Sequence, residues 1–238
     1  VEKSSIVCSF FYFYDMKLYV VSGLGADFKV LERLTFPADL EVCFLNWLQP
    51  EKGEHFSHYI RRMADRIDDR EPFALLGYSF GGIIVQEIHR LKPAEKVIIM
   101  GSIRSHREKS RLLRWGERTR LPAYLPSGFY GERSTFLYTF TRRFFDPSNP
   151  ALLQYFRVRD PYYLKWSIAK ISAWKFEPVS GVVQIMADRD LIFPIANSKP
   201  DYIIRNASHL FPATRAKEVS RILDEIFGTM KRSDHNSS

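Results

Sequence analysis

The segment Gly77-Tyr78-Ser79-Phe80-Gly81 places a serine between two glycines in a pattern suited to nucleophilic chemistry. It follows the apolar run 73–76 directly and opens a helix-like stretch over residues 81–91, so Ser79 reads as the tip of a strand-to-helix turn. Such a tip holds its residue in a backbone conformation that costs energy for any side chain with a Cβ. Glycine at 77 and 81 keeps side chains out of the space where turn, strand and helix nearly touch. The helix start adds a dipole that favours developing negative charge. A serine hydroxyl still needs a base to take its proton near neutrality. Six histidines are available: His55, His58, His89, His106, His209 and His235. His209 lies between the last strand-like run and the final helix, whereas the others fall on or beside upstream helices, in the middle of the chain or in the polar tail.

Short β-branched or apolar runs at residues 17–22, 41–45, 73–76, 96–100, 181–186 and 201–205 predict strands. Helical spacing at residues 28–34, 56–67, 81–91 and 213–227 predicts helices between or after them. Strands alternating with helices argue for an α/β fold with a parallel sheet covered on both faces. The rhythm breaks from about residue 102 to about residue 178. Helical patterns at residues 104–115, 134–145, 151–157 and 162–174 alternate there with Pro122, Pro126, Pro147, Pro150 and Pro161. This predicts a helical insertion (102–178) within a core made of residues 1–101 and 179–238.

From Met16 onward the chain resembles the α/β-hydrolase superfamily, on the strength of the serine turn, the helical insertion and the order serine, acid, histidine. The resemblance implies an eight-stranded, mostly parallel sheet, shortened here at the N-terminal edge because few residues precede position 17. It also implies a helical lid and a serine hydrolase triad of Ser79 as nucleophile, His209 as base and Asp190 as orienting acid. Ala187-Asp188-Arg189-Asp190 is similar to the family's G-x-x-D stretch, with Ala187 in the glycine position and Asp188 as a rival acid. Ser22-Gly23-Leu24-Gly25 resembles the family's His-Gly-x-G loop with Ser22 replacing the histidine. The backbone N–H groups of Leu24 and Phe80 are then the expected oxyanion hole. Serine at the turn disfavours the aspartate-nucleophile branch of the family.

These readings point to a carboxylesterase-like enzyme acting on a small-molecule acyl or aryl ester, with no metal or organic cofactor implied. The rival class is a non-catalytic ligand receptor or interaction protein on the same fold. His55-x-x-His58 lacks a third ligand at sensible spacing, and Gly23-Leu24-Gly25 lacks the rest of a dinucleotide loop.

The 238 residues suit one substantial domain with an excursion, and the charge of +8 favours anionic surfaces or substrates. No zinc-finger spacing, basic zipper or RNA-binding signature accompanies that charge, so nucleic acid is not an expected partner. Arg104, Arg107, Lys109, Arg111, Arg114, Arg118 and Arg120 crowd the start of the insertion, as a solvated lid face or as weak contact with an anionic surface. Aromatics of the insertion, among them Trp115, Phe129, Tyr130, Tyr155, Tyr163 and Trp166, line a pocket or hold the lid together. Cys8 and Cys43 make no disulfide framework, Cys43 reading as a small buried hydrophobe. The apolar residues 6–14 are too short to span a bilayer. They are either an extra edge strand or precede a natural start at Met16, and a cytoplasmic protein is expected.

Overall fold

The computed structural model describes residues 16–26, 28–130, 155 and 160–235, with side chains as far as residue 228. Among these residues six strands form one sheet: β1 (Met16–Val21), β2 (Leu40–Phe44), β3 (Phe73–Tyr78), β4 (Lys96–Met100), β5 (Val182–Ala187) and β6 (Tyr202–Ile204). Their order is β2-β1-β3-β4-β5-β6, and every neighbouring pair is parallel. The chain leaves β1 toward β2 on one side and returns to β3 on the other. The loops after β1 and β3 therefore diverge at the carboxyl edge, where open α/β sheets form their ligand crevice.

Alternation along the strands feeds two cores. Leu18, Val20, Ala74, Leu76, Ile98, Met100 and Ile185 face one side with Val219, Leu223 and Ile226 of the C-terminal helix. Tyr19, Val21, Leu75, Val97, Ile99 and Met186 face the other, where α1 (Phe56–Ala64) and α2 (Phe80–Leu91) cover them. A sheet buried on both faces explains why its strands read as nearly continuous apolar runs.

Between β4 and β5 the described chain is helical: α3 (Arg111–Thr119), α4 (Leu121–Tyr124), a 3-10 turn at Ser127–Tyr130, and α5 (Pro161–Ala173). Lys109 ties this layer together. Its fully buried Nζ donates to Glu117 Oε2 at 2.9 Å and to the Ser172 carbonyl at 2.6 Å, while its own carbonyl accepts from Asn197 Nδ2 at 3.1 Å. Burial lowers the Lys109 pKa from the ordinary lysine value, opposed by the Glu117 carboxylate.

Several local expectations are corrected. Residues 28–34 form only a 3-10 turn, Phe28–Val30, followed by further turns. The helix expected over 104–115 begins at Arg111, where Ser110 Oγ accepts from the Leu113 N–H. Before it, Arg104 is held outside any helix by Asp201, by the Lys199 carbonyl and through its N–H by Glu108. The last helix is broken at Arg215 into α6 (Phe211–Thr214) and α7 (Ala216–His235). Cys43 is half-buried rather than buried, because β2 is the sheet's edge. Residues 6–14, the helix expected at 134–145 and all of that at 151–157 except Tyr155 lie outside the described residues. Among the described residues no helix is long and apolar enough to cross a membrane.

Candidate active site

Ser79 ends β3 and starts α2 with φ 55° and ψ −120°. A non-glycine residue at positive φ stores on the order of 1–3 kcal/mol, which the surrounding structure must over-determine. Here the Ser79 N–H donates to the Met100 carbonyl at 2.8 Å, and its carbonyl accepts from the Gly82 N–H at 3.0 Å. The flanking glycines are required by space. A Cβ on Gly81 would lie 2.2 Å from the Val21 carbonyl oxygen, and one on Gly77 would lie 2.3 Å from that of Gly81.

The strained turn aims the hydroxyl at a buried imidazole. Ser79 Oγ lies 2.9 Å from His209 Nε2, and His209 Nδ1 lies 2.6 Å from Asp190 Oδ2. Both distances are within direct proton-transfer reach. Facing a carboxylate, Nδ1 carries the ring proton, which leaves Nε2 as the acceptor of the serine hydroxyl. The other carboxylate oxygen, Asp190 Oδ1, accepts from the N–H groups of Ile192 and Phe193 at 2.8 and 2.9 Å. Ser79, Asp190 and His209 expose only 4%, 3% and 0% of their surface. Polar groups so deeply buried are costly unless bonded to one another in this way.

Asp188 stands apart from this chain of bonds. Its Oδ1 accepts from the Ala207 N–H at 3.2 Å and closes the turn after β6. Burial pushes its pKa up, but the Asn206 and Ala207 N–H groups and the charges of Arg189 and Arg205 hold it below the ordinary aspartate value.

Two residues not singled out by sequence complete the support. The Tyr78 hydroxyl donates to the His209 carbonyl at 3.0 Å, fastening the histidine loop to the serine turn. Burial, aided by the Asp190 charge, raises its pKa well above the ordinary tyrosine value, so it remains a donor. Gly101, at φ 52°, passes so close that a Cβ there would lie 3.3 Å from the His209 ring. Positive-φ glycine was a possible signal for Gly101; the Tyr78 bond left none.

The Ser22–Gly25 loop borders the serine. Ser22 Oγ donates to the Ala26 carbonyl at 2.6 Å, and a Cβ on Gly23 would come within 3.2 Å of the Ser79 Cβ. Leu24 packs with Trp47, Tyr130, Tyr163 and Leu164, so the helical layer rests on this loop. The Phe80 N–H is the first of α2, where no earlier turn supplies a carbonyl to receive it. The Phe80 ring is buried and stacked on Trp47 and Phe56 at centroid distances of 5.3 and 6.2 Å. Of the insertion aromatics, Tyr130, Tyr155, Tyr163 and Trp166 are buried, whereas Trp115 and Phe129 are exposed.

His58, His89 and His106 are bonded elsewhere. His58 bonds Glu54, whose carboxylate is also held by Arg62 at 2.9 and 3.0 Å. His89 accepts from the Ala94 N–H, and His106 bonds the Phe176 carbonyl.

A parallel sheet with a serine, an imidazole and a carboxylate joined at its carboxyl edge defines a hydrolase-like α/β protein. Residues 22–222 match the Alpha/beta hydrolase family, and the chain belongs to that family. No curated protein matches it in sequence. Solved structures of the same fold include a lipase-esterase related protein from Clostridium acetobutylicum, 19% identical, with a TM-score of 0.62 over 88% of this chain and 93% of that one. A thermophilic esterase from Thermogutta terrifontis is 13% identical, with a TM-score of 0.62 over 90% of each chain. The RedJ thioesterase of prodiginine biosynthesis in Streptomyces coelicolor is 16% identical, with a TM-score of 0.58 over 88% and 90%.

Proposed function

We propose that this hydrolase is a serine esterase that cleaves small or medium acyl or aryl esters through an acyl-enzyme. Ser79 Oγ attacks the ester carbonyl carbon while His209 Nε2 takes its proton. The N–H groups of Phe80 and Leu24 receive the oxyanion of the tetrahedral intermediate. Collapse expels the alcohol, protonated by His209, and leaves the acyl group on Ser79. Water, giving its proton to the same imidazole, then releases the carboxylic acid. Asp190 holds the ring in the required tautomer and stabilises its charged form. The helices between residues 102 and 178 act as a lid that shapes the acyl pocket. Their packing on Leu24 supports that role.

The observation that carries this reading is the unbroken path from Ser79 Oγ to His209 to Asp190, at 2.9 and 2.6 Å, in a buried site with a strained serine. Esters and thioesters share this chemistry, and the named neighbours include both an esterase and a thioesterase, so matched oxygen and sulfur esters belong in one assay. A fluorophosphonate probe should label the native protein and not Ser79→Ala, which should lose about 10⁶ in kcat on p-nitrophenyl esters. A native protein that resists the probe yet binds ester analogues would be a receptor instead.

A further inference from the structure

Eight large apolar side chains stand exposed among the described residues, and five of them fall between positions 112 and 129: Leu112, Trp115, Leu121, Tyr124 and Phe129. They lie on α3, α4 and the 3-10 turn that follows. Tyr124 is 74% exposed and Trp115 53%, so most of each ring faces water. A soluble surface scatters such residues singly; a run of them on one short stretch marks a contact surface.

The same stretch exposes Arg111, Arg114, Arg118 and Arg120. Its one acid, Glu117, is taken up by the buried Lys109 at 2.9 Å. On α3, positions 111, 114 and 118 form one stripe and positions 112 and 115 the stripe beside it. Arginines thus border the apolar face. Beneath it lies a cavity of about 120 Å³ lined by Leu112, Leu113, Leu121, Leu125, Tyr130 and Ile168 among others, with no charged lining residue.

We propose that this face docks onto a membrane surface rich in anionic lipid. Aromatic side chains with a polar tip suit the headgroup boundary, and leucines suit the acyl region just below it. Arginine stems lie along apolar surface while their guanidinium groups reach lipid phosphates. The chain's net charge of +8 draws it to such a surface from a distance. The uncharged cavity behind Leu112 and Trp115 favours lipid over an acidic protein, since it accepts an alkyl chain and offers nothing to a carboxylate. This docking is independent of the role given to Ser79.

The test is co-sedimentation of the full chain with vesicles of phosphatidylcholine alone and with about one-third phosphatidylserine. Binding should require phosphatidylserine and disappear at high salt. Arg114→Gln with Arg118→Gln should lower the partition coefficient about 25-fold at low salt, near fivefold per charge. Trp115→Ser with Tyr124→Ser should lower it at least about tenfold while leaving the thermal melt unchanged, because both side chains are exposed. Equal binding to both vesicle types would overturn the proposal, as would no binding at low salt or binding that both double variants retain. Salt-sensitive binding to polyglutamate without vesicle binding would also overturn it, in favour of an acidic protein partner.

Discussion

The carboxyl edge of the sheet and the helical layer between β4 and β5 invert the usual partition of side chains in opposite ways. The edge buries what is polar: Ser79, Asp190 and His209 are nearly solvent-free and bonded to one another. The layer exposes what is apolar, from Leu112 to Phe129. Each inversion costs stability, and such departures concentrate where proteins meet other molecules. Under the two readings proposed above, bond-breaking needs fixed distances, which dense packing supplies, and docking needs surface that a lipid layer can cover.

The sharpest way to break this contrast uses two acids two positions apart. Asp190→Asn should lower kcat about 10⁴-fold by disturbing the imidazole tautomer. Asp188→Asn, which touches only the β6 turn, should leave kcat within about threefold. Equal losses in both variants would remove Asp190 from its role.

Glycines compare the packing of the two regions. Gly81→Ala drives a Cβ to 2.2 Å from the Val21 carbonyl and should cost about 3 kcal/mol in urea unfolding. In the layer, a Cβ on Gly128 meets nothing within 4 Å, so Gly128→Ala should fall within about 0.5 kcal/mol of the native protein.

A smaller effect probes selectivity. Leu24→Ala removes the side chain on which the helical layer packs beside the serine and should shift kcat/KM toward longer acyl chains about tenfold, with kcat on the shortest ester nearly unchanged. A uniform loss across chain lengths would place the Leu24 side chain in structural support alone.

The smallest effect is on pH dependence. Burial raises the Glu87 pKa above the ordinary glutamate value, and the bond from Trp174 Nε1 at 2.7 Å opposes the shift. Between the unfolded and the raised folded value the native state binds the extra proton, so stability falls as pH rises through that window. Glu87→Gln keeps an acceptor for Trp174 and should flatten that part of the Tm profile.

The strands and the serine turn were legible because their signals are local: β-branched runs, and glycines two positions either side of Ser79. Asp190 was preferred to Asp188 only by likeness to the G-x-x-D stretch, since both follow the same strand. What separates them is that Ile192, Phe193 and His209 gather around Asp190. Long-range bonds left no trace in the sequence. The Tyr78 hydroxyl reaches across 131 positions to the His209 carbonyl, and Arg104 is drawn out of a helix by partners near position 200. Apolar spacing at Phe28, Leu31 and Leu34 suggested a helix, yet a repeat of three is met equally by the 3-10 turn at Phe28–Val30 and the turns that follow it.

The buried ammonium of Lys109 acts as a rivet. It clamps α3 to α5 from inside, while Asn197 hooks the stretch that starts at Asp190 onto the same residue. The two helices are therefore fastened to each other and, through the Lys109 carbonyl, to the stretch that follows Asp190. Three segments far apart in sequence are thus secured at one residue.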